Sequence, residues 1–305
     1  MNEAARRRLI ERHCAATIRA VATRPLAEYR NNSLFHRGRG LHFGVPHLVA
    51  DAAKDSVEQN RGVADGFATR LLFSDDSLHR QLRPQGSIAR MVFDILEQLR
   101  CESLGAKKWR GIARNLDMSF NLWCRHSRGT GLVENEIGLL IYGMTQIARS
   151  HLTSALQDEE VEGLIESVRF RLAPIIGNDL VKLRPALEHQ ADFAIPAREI
   201  ALAVEAIAHS LSGDMADSHI SALREKNLLP PDQEADDKYI EAEEGENETR
   251  QRVELATGYH VFSQDFDREV SGRDLYRLEQ RHQLRLKLDR LINAQAVSIP
   301  PVSYT

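Results

Sequence analysis

The sequence predicts a mostly α-helical protein, with a helical bundle followed by an acidic linker and a C-terminal amphipathic helical segment. Apolar residues recur at spacings of three and four in several long stretches, which is the period of a helix with one buried face. The alternation of apolar and polar residues that marks a half-buried strand is weak throughout. A dense acidic block then separates these stretches from an aromatic C-terminal part.

The first 60 residues are predicted to form an N-terminal helix and a loop-rich segment. The helix begins with the basic run 6–8, but it has no apolar signal core, and Glu3 and Glu11 argue against a mitochondrial presequence. Glycines and prolines interrupt residues 24–60, where we expect loops and one short strand around Leu41–Val45. The apolar residues of this segment need a partner, so we expect it to pack on the helical body.

Residues 61–229 are predicted to form a helical bundle, because they carry four apolar stripes with short connections. The stripes begin near Ile88, Ile137, Val161 and Ile200. Ser87 is the predicted N-cap of the first of these helices and Gly105 its C-terminal glycine. Pro174 is predicted to end the third helix, and the fourth is predicted to begin after Pro196.

Residues 230–254 are predicted to be an acidic linker, since such a block repels itself and buries little apolar surface. A solvated spacer and an acidic docking strip for a basic partner surface both fit this composition. Residues 255–305 are predicted to hold an aromatic docking segment and a C-terminal amphipathic helix with leucines between positions 275 and 291. A single amphipathic helix forms no core of its own, so this part must pack against something else.

Composition favours a cytoplasmic protein. The chain has 305 residues, 42% of them hydrophobic and 28% charged, and no apolar run approaches the ~20 residues that cross a bilayer. Three widely spaced cysteines, Cys14, Cys101 and Cys124, predict reduced thiols, with Cys101 buried in a helix. The net charge of −4 gives no general attraction to nucleic acid.

Three histidines, His36, His42 and His47, fall within the loop-rich segment and raise the question of a metal site. Their spacing fits no compact zinc pattern, and no cysteine or carboxylate pair completes a ligand set. Loop histidines that hydrogen-bond to the backbone are more common, so we predict no metal site.

The sequence holds no pattern for nucleotide binding or nucleophilic catalysis, because phosphate-binding glycine loops and a nucleophile elbow are missing. Glu97 and Glu102 lie five residues apart on a predicted helix. We expect them to form an ion-pair framework with Arg90 or Arg114 rather than an acid/base pair. We therefore predict no catalytic or cofactor-binding residue in this chain.

Two segments resemble the T subunit of the aerobic, ATP-dependent cobaltochelatase of cobalamin biosynthesis. Tyr259–Val270 fits Tyr-x-Val-Phe-Ser/Thr-x-x-Phe-Asp-x-x-Val, and Leu96–Ala106 is close to Glu-Gln-x-Arg-x-Glu-x-Leu-Gly. Leu82-Arg83-Pro84 lies upstream as expected. The resemblance spans roughly residues 63–291. It implies the N-terminal portion of that subunit, since the Asp-x-Ser-x-Ser motif of the family's C-terminal von Willebrand factor A domain does not occur.

The resemblance implies a non-catalytic coupling subunit. In this family's complex, a MoxR-type AAA+ ATPase and a large corrin-binding subunit insert cobalt into a corrin ring. That complex would use ATP, magnesium and cobalt, none of them bound by this chain. The expected partner-binding residues are Tyr259, Val261, Phe262 and Phe266.

Two other functions stay open. One is an adaptor of a MoxR-type ATPase for another client, for example in a phage or mobile element. The other, less favoured, is a nucleic-acid-associated module that uses Arg37, Arg39 and the basic run Lys107–Arg110. No membrane partner is expected, and a homo-oligomer is compatible with either function.

Overall fold

Helices make up most of the residues that this computed structural model describes, which are 3–41, 43–153 and 159–230. Their bounds are α1 Glu3–Ala22, α2 Val57–Phe73, α3 Asp76–Leu82, α4 Ser87–Lys108, α5 Arg110–Gly129, α6 Glu136–Thr153, α7 Glu159–Leu183, α8 Gln190–Ser212 and α9 Ala216–Glu225. Short 3-10 turns occupy Leu132–Glu134 and Gly213–Met215. The predicted fold class, mostly α, is confirmed.

The N-terminal segment forms a three-stranded antiparallel sheet in the order β1-β2-β3. The strands are β1 Ala27–Arg30, β2 Ser33–His36 and β3 Arg39–Leu41. The prediction of one strand around Leu41–Val45 was therefore wrong. Strand β1 packs on α1, and its Tyr29 reaches α2, where the ring centroids of Tyr29 and Phe67 lie 6.0 Å apart.

Two-residue turns join these strands, and their sequences carry a hairpin signal. Asn31 and Asn32 have φ of 50° and 60°, and Arg37 and Gly38 have φ of 54° and 79°. Two successive left-handed residues make the turn whose twist matches an antiparallel hairpin, and asparagine and glycine tolerate that conformation best. Asn-Asn and Arg-Gly are thus the hairpin signals of this segment.

Helix α4 is the central helix of the bundle. It packs against α2, α5, α6 and α8, and its residues are buried continuously from Ile88 to Gly105. The predicted apolar stripe faces the core, and a helix that is buried all round needs partners for its polar residues as well. The buried polar residues of α4 are therefore expected to form hydrogen bonds or ion pairs with neighbouring elements.

The predicted ends of α4 were both wrong. Gly86 is the N-cap and Ser87 the first helical residue, while the helix continues past Gly105 to Lys108. Gly105 serves packing instead, because a Cβ at this position would lie 2.3 Å from Cγ2 of Thr69 in α2. The absence of a side chain lets α4 and α2 approach closely.

Two prolines predicted to bound helices lie inside them. Pro174 stands within α7 and Pro196 within α8. A proline removes one helical hydrogen bond, which leaves the carbonyl four residues earlier without its donor. Both of those carbonyls belong to exposed residues, Phe170 and Asp192, so water can satisfy them.

The predicted domain borders stay predictions. The acidic linker beyond Pro230, the aromatic segment and the C-terminal helix all lie outside the described residues. In the part that is described, one hydrophobic core includes residues of α1, the sheet and the helical bundle.

Candidate partner-binding site

The polar residues of the Glu97–Gly105 motif lie inside the protein, joined by hydrogen bonds. Arg100, which is 1% exposed, donates from Nε to Oε2 of Glu97 over 2.7 Å and from Nη2 to Oε1 over 2.8 Å. It also donates to the carbonyl oxygens of Phe73 and Leu187, at 2.6 and 3.1 Å. This one guanidinium thus joins α4 to the end of α2 and to the segment between α7 and α8.

The ion pair of Glu97 differs from the expected one. Burial raises the pKa of Glu97, but the hydrogen bonds of Arg100 and the charge of Arg70 outweigh it, so that the pKa is lowered and the carboxylate is ionised. The expected partners, Arg90 or Arg114, were wrong. Arg100 pairs with Glu97 because residues three apart share one helix face.

Glu102 has a different partner, which comes from the loop-rich segment. His47 Nε2 lies 3.0 Å from Glu102 Oε1, and the amide of Gln98 donates to the same oxygen over 2.8 Å. The His47 ring meets Phe120 and Trp123 at centroid distances of 5.4 and 6.0 Å. Burial raises the pKa of Glu102, and the charge and hydrogen bond of His47 overcome this and lower it.

A second carboxylate of α4, Asp94, holds a further buried cluster. His79 Nε2 lies 2.6 Å from Asp94 Oδ1, and Arg83 donates to Oδ2 over 2.5 Å. Arg83 belongs to the segment Leu82-Arg83-Pro84. This segment and Leu96–Ala106, which both carry the resemblance, therefore contribute residues to buried polar clusters along α4. His79 and Asp94 were not predicted as a pair, although a charged residue within an apolar stripe signals a buried partner.

These clusters are suited to holding the fold together and not to acting on a substrate. Glu97, Arg100, Glu102 and Asp94 are each less than a tenth exposed, and protein groups occupy their oxygens and nitrogens. Buried polar networks of this kind fix one arrangement of the helices more than they add stability. The role of the Leu96–Ala106 segment that the structure supports is therefore a structural one.

The three histidines considered as metal ligands in the sequence are not brought together in the described residues. His47 is bonded to Glu102, His36 lies in β2 beside arginines, and His42 falls outside the description. Among the residues described, no group of three or more histidines, cysteines and acids could hold a metal ion.

The three cysteines are buried, as predicted for Cys101. Burial raises the pKa of all three thiols, that of Cys14 to about 12. Because the thiolate is the reactive form, these thiols are poor nucleophiles at neutral pH.

Helix α7 presents an apolar face to solvent. Phe170 is 85% exposed and Val181 64% exposed, and Pro174 lies between them on the same side of the helix. Their spacings of four and seven residues place the three side chains along one line. A shallow groove beside them is lined by Glu166, Ser167, Phe170, Arg171 and Pro174.

Helix α8, which packs on α7, also exposes large apolar side chains. Ile195 is 67% exposed, and Leu202, seven residues later, is 39% exposed. Large apolar side chains aligned on one helix face are typical of binding surfaces, whereas single exposed ones are ordinary. The predicted partner-binding residues Tyr259, Val261, Phe262 and Phe266 lie outside the described residues, so the apolar face of α7 is the candidate site that the structure shows.

Comparison with known families decides the assignment. The family model described as cobalamin biosynthesis protein CobT matches residues 10–269, most of the chain. The chain belongs to the CobT family. This match covers Leu96–Ala106 and all of Tyr259–Val270 except its last residue. It supports involvement of this CobT-family chain in cobalamin biosynthesis, at the cobaltochelatase step. No solved structure matches it. None of its described helices is long and apolar enough to cross a membrane.

Proposed function

We propose that this CobT-family chain is a non-catalytic coupling subunit of a cobaltochelatase-like complex. In this proposal, a MoxR-type AAA+ ATPase hydrolyses ATP and a large subunit holds the corrin ring into which cobalt is inserted. The observation that carries it is the apolar face of α7, which has no partner within the described chain. Cobalt is the substrate of the complex, and ATP and magnesium belong to the ATPase.

The exposed side chains of α7 are suited to anchoring a partner. Removing a phenylalanine or valine side chain from water contributes roughly 1.5–3 kcal/mol. Aromatic residues, phenylalanine among them, are enriched in the core of protein interfaces. Phe170 borders such a groove, with Glu166 and Arg171 available for polar contacts at its edge.

The core side of α7 holds this face in place. Its buried residues are Val161, Ile165, Val168, Leu172, Ile176 and Leu183. They pack against α6 and α8, so the outer face is presented by a helix that is fixed on its inner side. A surface that is already ordered loses little conformational entropy on binding, which favours affinity.

The experiment is a co-purification of the full chain with the candidate ATPase and corrin-binding subunits. Phe170→Ser and Val181→Ser should each weaken capture by about tenfold, which corresponds to ~1.4 kcal/mol. Val57→Ser is the matched control, because Val57 is also exposed but lies on α2. All three variants should melt like the unchanged protein, since the altered side chains contact solvent.

Two outcomes would count against the proposal. Equal capture of the α7 variants and the control would remove the α7 face as the binding site. Capture of the ATPase without the corrin-binding subunit would favour the alternative, an adaptor of the same ATPase class for another client.

A further inference from the structure

Basic side chains line the outer face of α5 and the corner that precedes it. This basic face comprises the exposed residues Lys107, Lys108, Arg110, Arg114 and Arg125. Arg110 and Arg114 are one helical turn apart, and Arg125 follows three turns later on the same side. At the corner, Nζ of Lys108 lies 4.6 Å from the ring centroid of Trp109.

The acids near this face are already engaged. Asp117, the only acid of α5, pairs with Arg149, and Asp65 of α2 is bonded to Asn115 and Arg61. Glu188 lies 3.4 Å from Lys107. Among the described residues, Arg110 and Arg114 have no ion-pair partner. The face therefore keeps an uncompensated positive charge.

This charge is local. Residues 107–128 contain six lysines and arginines and one acid, whereas the whole chain carries a net charge of −4. The opposite imbalance occurs in residues 232–243, which contain six acids and one lysine. The acids are Asp232, Glu234, Asp236, Asp237, Glu241 and Glu243. One polypeptide thus carries a basic face and an acidic segment of similar charge.

We infer that the basic face is a docking surface for acidic polypeptide and that its occupant is the 232–243 segment of the same molecule. The lengths agree. Arg110 to Arg125 spans about 22 Å at 1.5 Å per helical residue. Twelve extended residues reach about 40 Å, which exceeds the ~22 Å between Arg110 and Arg125.

Helix α9, which precedes the acidic segment in the chain, begins beside the N-terminal end of α4. Ser87, the first residue of α4, donates to Asp217 near the start of α9 over 3.0 Å. Helix α9 ends at Glu225, and Arg224 donates to the carbonyl oxygen of Pro230 over 3.1 Å. Residues 232–243 follow Pro230 closely in the chain, so the acidic segment is tethered to the bundle that carries the basic face. Occupation of the face would withhold it from other acidic partners.

The test measures binding of a fluorescent synthetic peptide of sequence 232–243 to the full-length chain. In the receiving chain, the six acids of this segment are changed to their amides, so that it no longer competes. We expect this chain to bind the peptide, with an affinity that falls as salt is added. The unchanged full-length chain should bind the peptide more weakly, because its own segment occupies the face.

Charge reversal locates the site. Arg110→Glu with Arg114→Glu, made in the amide-substituted chain, should weaken binding at least about tenfold. Arg8→Glu with Arg12→Glu is the matched control, since these arginines are exposed and also four residues apart, on α1. Should the reversed pair fail to fold, Arg110→Gln with Arg114→Gln tests the same contact with a smaller loss.

Four results would overturn the inference: absence of peptide binding, equal loss in the α1 control, equal binding by the unchanged and amide-substituted chains, or a concentration-dependent dimer that depends on the acidic segment. A single-stranded oligonucleotide tested in parallel covers the remaining case. If the oligonucleotide binds the face and the peptide does not displace it, the face serves nucleic acid and the inference fails.

Discussion

Gly62 of α2 lies directly against Ser119 of α5. A Cβ on Gly62 would stand 2.4 Å from Cβ of Ser119 and 2.5 Å from the carbonyl oxygen of Asn115. Both distances are far below van der Waals contact, and the second obstacle is backbone, which cannot rotate away. The close packing of α2 on α5 therefore depends on the absence of a side chain at position 62.

Gly62→Ala should lower the free energy of unfolding by about 1–3 kcal/mol, because the added methyl forces the two helices apart. Gly163→Ala is the matched control, since Gly163 lies inside α7 and a Cβ there would meet nothing within 4 Å. That change should raise stability by about 0.5–1 kcal/mol through helix propensity. Urea unfolding of both variants measures the difference, and equal effects would contradict the packing described.

Arg100→Met should destabilise the protein by roughly 3–5 kcal/mol, because it leaves the Glu97 carboxylate buried without its charge partner. Glu97→Leu combined with Arg100→Met should cost less than the sum of the two single changes. The control is Lys182→Met, which breaks an exposed pair with Asp179, also three residues apart, and should cost less than about 0.5 kcal/mol. A double-mutant cycle by chemical denaturation measures the coupling, and additive effects would show that the buried pair does not interact.

Stability should fall in mild acid because of His79. Burial, and then the charge of Arg70, lower the pKa of His79 below its usual 6.5, although Asp94 opposes this. As pH falls below 6.5, the unfolded chain therefore takes up a proton before the folded chain does. The free energy of unfolding then decreases as pH falls, by up to about 1.4 kcal/mol per pH unit, until the folded pKa is reached.

His79→Gln should flatten this slope, since glutamine does not titrate and can still donate to Asp94. Urea unfolding at several pH values between 5 and 7 measures it. His126→Gln, a change at an exposed histidine of α5, is the control and should keep the slope. An unchanged slope in His79→Gln would show that another group is responsible.

The sequence predicted α1, α4, α6, α7 and α8, because apolar spacing is a local property, but it did not predict α2, α3, α5 or α9. The Glu97–Arg100 pair was within reach of the same reasoning, since i,i+3 neighbours share a face. The His47–Glu102 contact was not, because its partners are 55 residues apart and only the folded chain brings them together. Pro174 misled for a physical reason: a proline can stay inside a helix when the carbonyl that it frees faces water.

His47 fixes the loop-rich segment to the bundle, so its loss should open this segment locally. His47→Ala removes the hydrogen bond to Glu102 and the ring contacts with Phe120 and Trp123. Leu48 of the same loop packs against Gly66 of α2. This contact remains in the variant, so we expect the opening to stay local and the helices to stay folded. Trp123, which is 8% exposed, should become accessible to a soluble quencher.

Acrylamide quenching of tryptophan fluorescence measures this opening, in a Trp109→Phe background so that Trp123 is the only tryptophan. His47→Ala should raise the quenching constant severalfold, while His36→Ala, a change in β2 of the same segment, should leave it unchanged. His47→Gln should restore part of the protection, because its amide can donate to Glu102. Equal quenching in all these variants would mean that His47 does not hold the loop, and that the apolar contact of Leu48 is sufficient.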